Sequence, residues 1–312
     1  MNKKDNFFLQ TVDSECQDII IDDILLSNFT VTIKREDQIH DFVSGNKYRK
    51  LKYNLAEAIN KNSICLLTFG GAYSNHIAAV ASAGFEMGLE TIGIIRGEEI
   101  AERTAGNPTL SFAKSKGMQL HFVSREEYKK KTDLRFINFL REKFGEFYLI
   151  PEGGTNELAV RGCEEILNES DLGFDYICTP VGTGGTIAGL INASGPDQTV
   201  IGFSSLKGTF QKDTIETFTT KRNYYLTDAY CFGGYAKIDS QLIRFINEFK
   251  ENSGIPLDPI YTGKMMYGVF DLLKQGYFKE NSRILAVHTG GLQGIAGMNQ
   301  LLEKKKLPQI DL

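Results

Sequence analysis

Tyr176-Ile177-Cys178-Thr179-Pro180-Val181-Gly182-Thr183-Gly184-Gly185-Thr186-Ile187 is the stretch whose reading decides the fold. An apolar, partly β-branched run from Tyr176 to Thr179 enters a loop with three glycines and leaves it as an apolar segment from Ile187 to Asn192. A strand that turns through glycine into a helix is the repeating unit of a parallel sheet covered on both faces. Further runs fit the same unit: Ile64 to Phe69, Thr91 to Ile95, Leu120 to Val123, Phe147 to Ile150, Thr199 to Phe203 and Ile284 to His288. The segments between them read as helices, among them Tyr48 to Asn60, Asn75 to Met87, Pro108 to Lys116, Leu134 to Phe144, Leu158 to Asn168, Ser240 to Asn252, Met265 to Gln275 and Gly294 to Lys304. Strand alternating with helix predicts an α/β protein.

The piece Ser27 to Glu36 alternates like a strand but has no helix leading into it, so it is expected to pair with a later part of the chain and make one domain discontinuous. Two α/β domains with open, mostly parallel twisted sheets follow. Residues 1–50 plus 153–312 form the larger and 51–152 the smaller, with a site between them. The polar, Thr-rich and weakly periodic stretch Gly208 to Tyr225 reads as a surface loop or lid.

The chain has 312 residues, 42% of them hydrophobic and 24% charged, which is enough to bury a full core. Its net charge of -4 provides no basic stripe for nucleic acid or an anionic membrane, and the runs Lys129 to Lys131 and Lys304 to Lys306 read as solvated helix faces. No stretch reaches the roughly 20 apolar residues of a membrane span, and Met1 to Asp5 continues into polar sequence, so the expected location is the cytoplasm. Cys16, Cys65, Cys163, Cys178 and Cys231 are widely spaced and read as buried reduced thiols without a CxxC pair, and His40, His76, His121 and His288 show no ligand spacing. No metal is expected.

Ligands of open α/β sheets bind where glycine-rich loops leave the carboxyl ends of strands. Three such loops stand out. Gly70-Gly71-Ala72-Tyr73-Ser74-Asn75-His76 follows one strand, and Ser74 and Asn75 there also suit plain helix capping. Gly182-Thr183-Gly184-Gly185-Thr186 suits a single terminal phosphate, through close backbone approach, two hydroxyls and a helix dipole. It lacks the Gly-Lys-Ser/Thr of a nucleotide P-loop. In His288-Thr289-Gly290-Gly291, Thr289 offers a neutral hydroxyl to a ring nitrogen. Ser44-Gly45-Asn46-Lys47-Tyr48-Arg49-Lys50 sets Lys47 behind a Gly-Asn turn, with Arg49 and Lys50 as cationic neighbours able to lower its pKa and ready it for a Schiff base. Tyr235 and Tyr261 sit beside turn residues. Singly, such a lysine or tyrosine is more often a surface or packing residue. Together they describe a site for pyridoxal phosphate.

At these residues the chain resembles the 1-aminocyclopropane-1-carboxylate deaminase and D-cysteine desulfhydrase family, pyridoxal-phosphate enzymes of the tryptophan-synthase-β fold type (fold type II), from about Ile33 to Met298. The resemblance implies that Lys47 carries the cofactor and that Lys50 lies near its phosphate, with Gly182, Thr183, Gly184, Gly185 and Thr186 around the same group. It sets Asn75 against the 3-hydroxyl, Ser74 against the substrate carboxylate or amino group, and Tyr235 and Tyr261 as the two active-site tyrosines. Deaminases of the family carry Glu after the second tyrosine and an apolar residue before the late Gly-Gly, where this chain has Thr262 and Thr289, both desulfhydrase-like. Tyr73 replaces the usual Gln of desulfhydrases. The resemblance thus implies a lyase that takes D-cysteine, or another small D-amino acid, to pyruvate, sulfide and ammonia, and that works as a homodimer. The cyclopropane deaminase giving 2-oxobutanoate, a non-catalytic cofactor or metabolite binder, and a nucleotide-binding α/β protein remain as other readings.

Overall fold

The computed structural model describes residues 10–20 and 28–311; Met1 to Asp5 and the first residue of the Ser27 to Glu36 segment lie outside the described residues. The described strands are β1 (Cys16–Ile19), β2 (Thr30–Lys34), β3 (Cys65–Gly70), β4 (Glu90–Arg96), β5 (Gln119–Val123), β6 (Tyr148–Ile150), β7 (Tyr176–Val181), β8 (Thr199–Ser204), β9 (Tyr224–Thr227) and β10 (Arg283–Val287). The helices are α1 (Asn46–Asn60), α2 (Asn75–Met87), α3 (Pro108–Ser115), α4 (Arg125–Lys129), α5 (Leu134–Phe144), α6 (Glu157–Glu164), α7 (Gly185–Ala193), α8 (Gln211–Phe218), α9 (Ser240–Ser253), α10 (Thr262–Lys274) and α11 (Gly294–Lys304).

The larger sheet has the order β1-β2-β10-β7-β8-β9 and the smaller β5-β4-β3-β6. Among the described residues, only β1 against β2 is antiparallel. The Ser27 to Glu36 segment does pair with a later strand, because β2 lies beside β10 with Val31 opposite Ile284. The central strand β3 is buried at every residue, as a strand covered on both faces must be. Its helix α2 is punctuated at both ends, by the Ser74 side chain accepting from Ile77 N and by Gly88 at φ 66°.

Helix α1 joins the two layers. Its Tyr48, Leu51, Leu55 and Ala58 pack with Leu66, Ile95 and Ile150 of the smaller sheet. Its opposite side lies against α6 so closely that a Cβ on Gly162 would come 1.9 Å from the Arg49 carbonyl oxygen. The Arg49 guanidinium forms a bidentate pair with buried Glu36, at 2.9 and 2.8 Å. It is therefore not a cationic neighbour of Lys47, contrary to the sequence expectation.

Three other expectations are corrected. Cys16, read as a buried thiol, is exposed because it opens the edge strand β1, whereas the other four cysteines are buried. Gly208 to Tyr225 is not a loop: it contains α8 and the start of β9, anchored by buried Ile215 and by Gln211, whose amide donates to Ser204 Oγ at 2.9 Å. A short helix held by one apolar residue and lacking a side-chain cap leaves no periodic trace. Lys131 does not point to open solvent, but lies 3.4 Å from Glu152 at the cleft described below.

Gly162→Ala is expected to wedge α1 from α6 and destabilise the protein by about 1–3 kcal/mol, read as a lower urea midpoint at unchanged slope. An unchanged midpoint would show that the two helices yield freely.

Candidate active site

The loops after β3, β6, β7 and β10 open on one cleft of about 940 Å³ between the sheets, which Lys47, Ser74, Asn75, Gly182, Thr183, Thr186, Tyr235, Tyr261 and Thr289 all line. The sequence-predicted residues are thus brought together.

The position of Lys47 is fixed by backbone. Gly45 has φ +64°, and a Cβ there would lie 1.9 Å from the Thr289 carbonyl oxygen. Asn46 N donates to the same carbonyl at 3.2 Å. The Asn46 side chain then donates to Thr186 Oγ1 at 2.8 Å and accepts from Lys47 Nζ at 3.1 Å. One Gly-Asn-Lys turn so ties the lysine to the loops after β10 and β7. Desolvation, and next the nearby Lys50 ammonium, lower the Lys47 pKa to about 7.

Lys50 is 2% exposed, and its ammonium donates to Gly153 O at 3.0 Å, Thr155 Oγ1 at 3.0 Å and Thr183 Oγ1 at 3.4 Å. None of these is an anion, and burial lowers its pKa. Beside it α7 starts at Gly185 with no side chain capping its first turn. A Cβ on Gly185 would reach within 3.2 Å of Lys50 Nζ. A buried cation at an uncapped helix N-terminus calls for a bound anion. The loop Pro151-Glu152-Gly153-Gly154-Thr155 is a fourth glycine loop of this cup. Its Gly-Gly after a strand was a signal as legible as the other three.

Asn75 Oδ1 is buried without a partner, and a Cβ on Gly291 would sit 2.9 Å from Asn75 Nδ2. The amide therefore has an unused end that could accept from a ligand hydroxyl. Ser74 Oγ accepts from Ile77 N at 3.3 Å, which leaves its hydroxyl proton to donate. The rings of Tyr235 and Tyr261 meet edge to face with centroids 6.2 Å apart. Burial, then the adjacent Tyr235, raise the Tyr261 pKa well above its ordinary value, so its hydroxyl stays protonated.

Thr289 lines the cleft, whereas Thr262 is fully buried and does not. The Thr262 hydroxyl donates to Asp258 Oδ1 at 2.8 Å. Asp258 also accepts from the backbone N–H groups of Ile260, Tyr261 and Thr262, at 2.9, 3.0 and 2.8 Å. Both its oxygens are filled in holding the Tyr261 turn. Tyr73 packs on α11, where a Cβ on Gly297 would meet its ring at 2.6 Å. Arg96 lines the cleft over the Tyr128 ring at 5.6 Å, without a carboxylate partner among the described residues. Sequence reasoning missed Asp258, Thr155 and Arg96, whose partners are distant in sequence or lie within the backbone of a turn. No group of three or more His, Cys, Asp or Glu among the described residues is placed to hold a metal.

These donors fit pyridoxal phosphate: a depressed lysine, an unpaired amide, a neutral hydroxyl and an unneutralised cation beside a helix N-terminus. The model of the family described as pyridoxal-phosphate dependent enzyme matches residues 24–290. The bifunctional D-cysteine desulfhydrase/1-aminocyclopropane-1-carboxylate deaminase of Arabidopsis thaliana mitochondria is 32% identical over 300 residues, covering 84% of this chain and 72% of that protein. The 1-aminocyclopropane-1-carboxylate deaminase of Rhizobium rhizogenes is 31% identical over 294 residues, 85% of this chain and 87% of that one. A solved ACC deaminase homologue superposes with a TM-score of 0.79 at 28% identity, over 95% of this chain and 94% of that one.

Because the Lys47 amine is half neutral near pH 7, the rate at which apoprotein captures pyridoxal phosphate should rise about tenfold between pH 6 and 8 and then level off. Stopped-flow absorbance checks this. A rate still climbing tenfold per unit through pH 9 would mean an ordinary solvated lysine.

Proposed function

The chain belongs to the family of pyridoxal-phosphate dependent enzymes, and from that premise we propose that it catalyses β-elimination from a small D-amino acid, foremost D-cysteine. D-Cysteine and water would give pyruvate, sulfide and ammonia. The family's fold type II and the lyase class stand on the matches above. The choice within the class rests on the neutral ring end of the site.

Bound in the cleft, pyridoxal phosphate supplies an aldehyde that condenses with amines and a ring that takes up the electron pair left at an α-carbon. Lys47 would hold it and, once released, accept the α-proton at Nζ, for which a pKa near 7 is well matched. Lys50, Thr183 and the Gly182 to Thr186 turn would hold the phosphate, and Asn75 the 3-hydroxyl. The Ser74 hydroxyl would donate to the substrate carboxylate. Tyr261, kept protonated by burial, would work with Tyr235 to deliver a proton to the departing sulfide.

Thr289 carries the substrate assignment. The nearby Asp258 has both oxygens occupied by its own turn, so the ring nitrogen would meet a hydroxyl rather than a free carboxylate. A neutral partner leaves a weaker electron sink, sufficient for α-proton removal and loss of sulfide but less suited to opening a cyclopropane. Thr262, standing where deaminases of the family carry Glu, is likewise neutral, with its hydroxyl committed to Asp258. The cyclopropane deaminase stays as the second reading because relatives of this chain carry that name. We further assign residues 51–152 to a small domain that closes over substrate, and a homodimer as the resemblance implies.

Holoenzyme supplied in parallel with D-cysteine and 1-aminocyclopropane-1-carboxylate should form pyruvate and sulfide at least about tenfold faster, by kcat/KM, than 2-oxobutanoate. A preference for the cyclopropane would reverse the assignment, and no product from either would support a non-catalytic binder.

A further inference from the structure

The loop between β9 and α9 brings Tyr235 to the cleft through a costly backbone path. Phe232, Gly233, Gly234 and Ala236 have φ of 51°, 87°, 118° and 56°. Left-handed conformations at Phe232 and Ala236 are unfavourable for L residues and persist only where the surroundings impose them. The loop's own bonds are few: Gly234 N donates to Cys231 O at 3.0 Å and Lys237 N to Gly234 O at 3.1 Å.

The same two carbonyls receive a second donor. Lys264, 1% exposed in the first turn of α10, donates its ammonium to Cys231 O at 2.8 Å and to Gly234 O at 2.8 Å. No carboxylate forms an ion pair with it among the described residues. An ammonium buried against carbonyls alone is expensive, and packing would be served as well by methionine. Lys264 stands three residues after Tyr261, whose ring meets Tyr235. One side chain thus links the turn carrying one tyrosine to the loop carrying the other.

We infer that Lys264 is a positioning residue that clamps the Cys231 to Ala236 loop and so holds Tyr235 against Tyr261 over the cleft. This rests on the proposed role of Tyr235. Desolvation lowers the Lys264 pKa to about 8, as burial of an ammonium without a paired carboxylate should.

Two readouts on Lys264→Met test the clamp. By hydrogen exchange and mass spectrometry, amides of residues 231–236 should exchange at least about tenfold faster, with α7 and the central strands unchanged. In a double-mutant cycle on holoenzyme, with whichever of D-cysteine and the cyclopropane amino acid it turns over, Lys264→Met and Tyr235→Phe should each lower kcat. The double variant should be no worse than Tyr235→Phe alone, and cofactor absorbance should be retained. Losses that multiply, or unchanged exchange in the loop, would overturn the inference. Lys264→Gln, which keeps two donors, should restore protection in part. If neither variant folds, Lys264 serves the stability of the whole chain and the clamp is wrong. If Tyr235→Phe alone leaves kcat unchanged, the role of Tyr235 fails, while the exchange data still decide the clamp.

Discussion

The close approach of Gly45 to the Thr289 carbonyl is the contact on which the rest of the site depends. A side chain at Gly45 would stand 1.9 Å from that oxygen, and the positive φ there is open only to a residue without Cβ strain. From this contact α1 receives its starting point and direction. Lys47 then faces the cleft, Arg49 turns back to Glu36, and Lys50 reaches the cup formed by the loops after β6 and β7. The spacing of the two lysines, three apart on one helix, places both on one face. In the proposed reading, one would hold the cofactor's carbonyl end while the other would meet its phosphate.

Charge placement follows a common logic. Elsewhere in the chain, buried cations are neutralised, as Lys34 is by Asp171 at 2.6 Å and Arg49 by Glu36. Lys50 and Lys264 have only neutral oxygens. Lys50 opens on the cleft beside an uncapped helix, so its missing charge belongs to a ligand. Lys264 is enclosed by protein, so its cost must be offset by the loop it shapes. Burial also divides the titrating groups by task, pulling the Lys47 amine down into the neutral range and pushing the Tyr261 phenol up.

Much of this was legible in the sequence because it is local. Helices Asn75–Met87 and Leu134–Phe144 begin and end where their caps indicate, and Gly294–Lys304 where its periodicity does. The glycine loops announce the carboxyl ends of β3, β7 and β10. What escaped is held by distant or sparse contacts. Helix α8 is anchored by little beyond Ile215 and Gln211, and β1 is a short edge strand with alternating half-burial. Adjacency in sequence made Arg49 look like a neighbour of Lys47, although a helix turns successive residues about 100° apart. Asp258 and Lys264 act through backbone atoms, which no residue pattern reveals.

The central claim is that Lys47, and not the more deeply buried Lys50 or Lys264, is the residue that captures the cofactor. Protein loaded with pyridoxal phosphate, reduced with borohydride and digested, can be mapped by mass spectrometry with fragmentation that resolves single lysines. The account predicts the reduced cofactor mass on Lys47 alone. Its appearance on Lys50 or Lys264, or on no lysine, would contradict the architecture argued from the Gly45 contact outward.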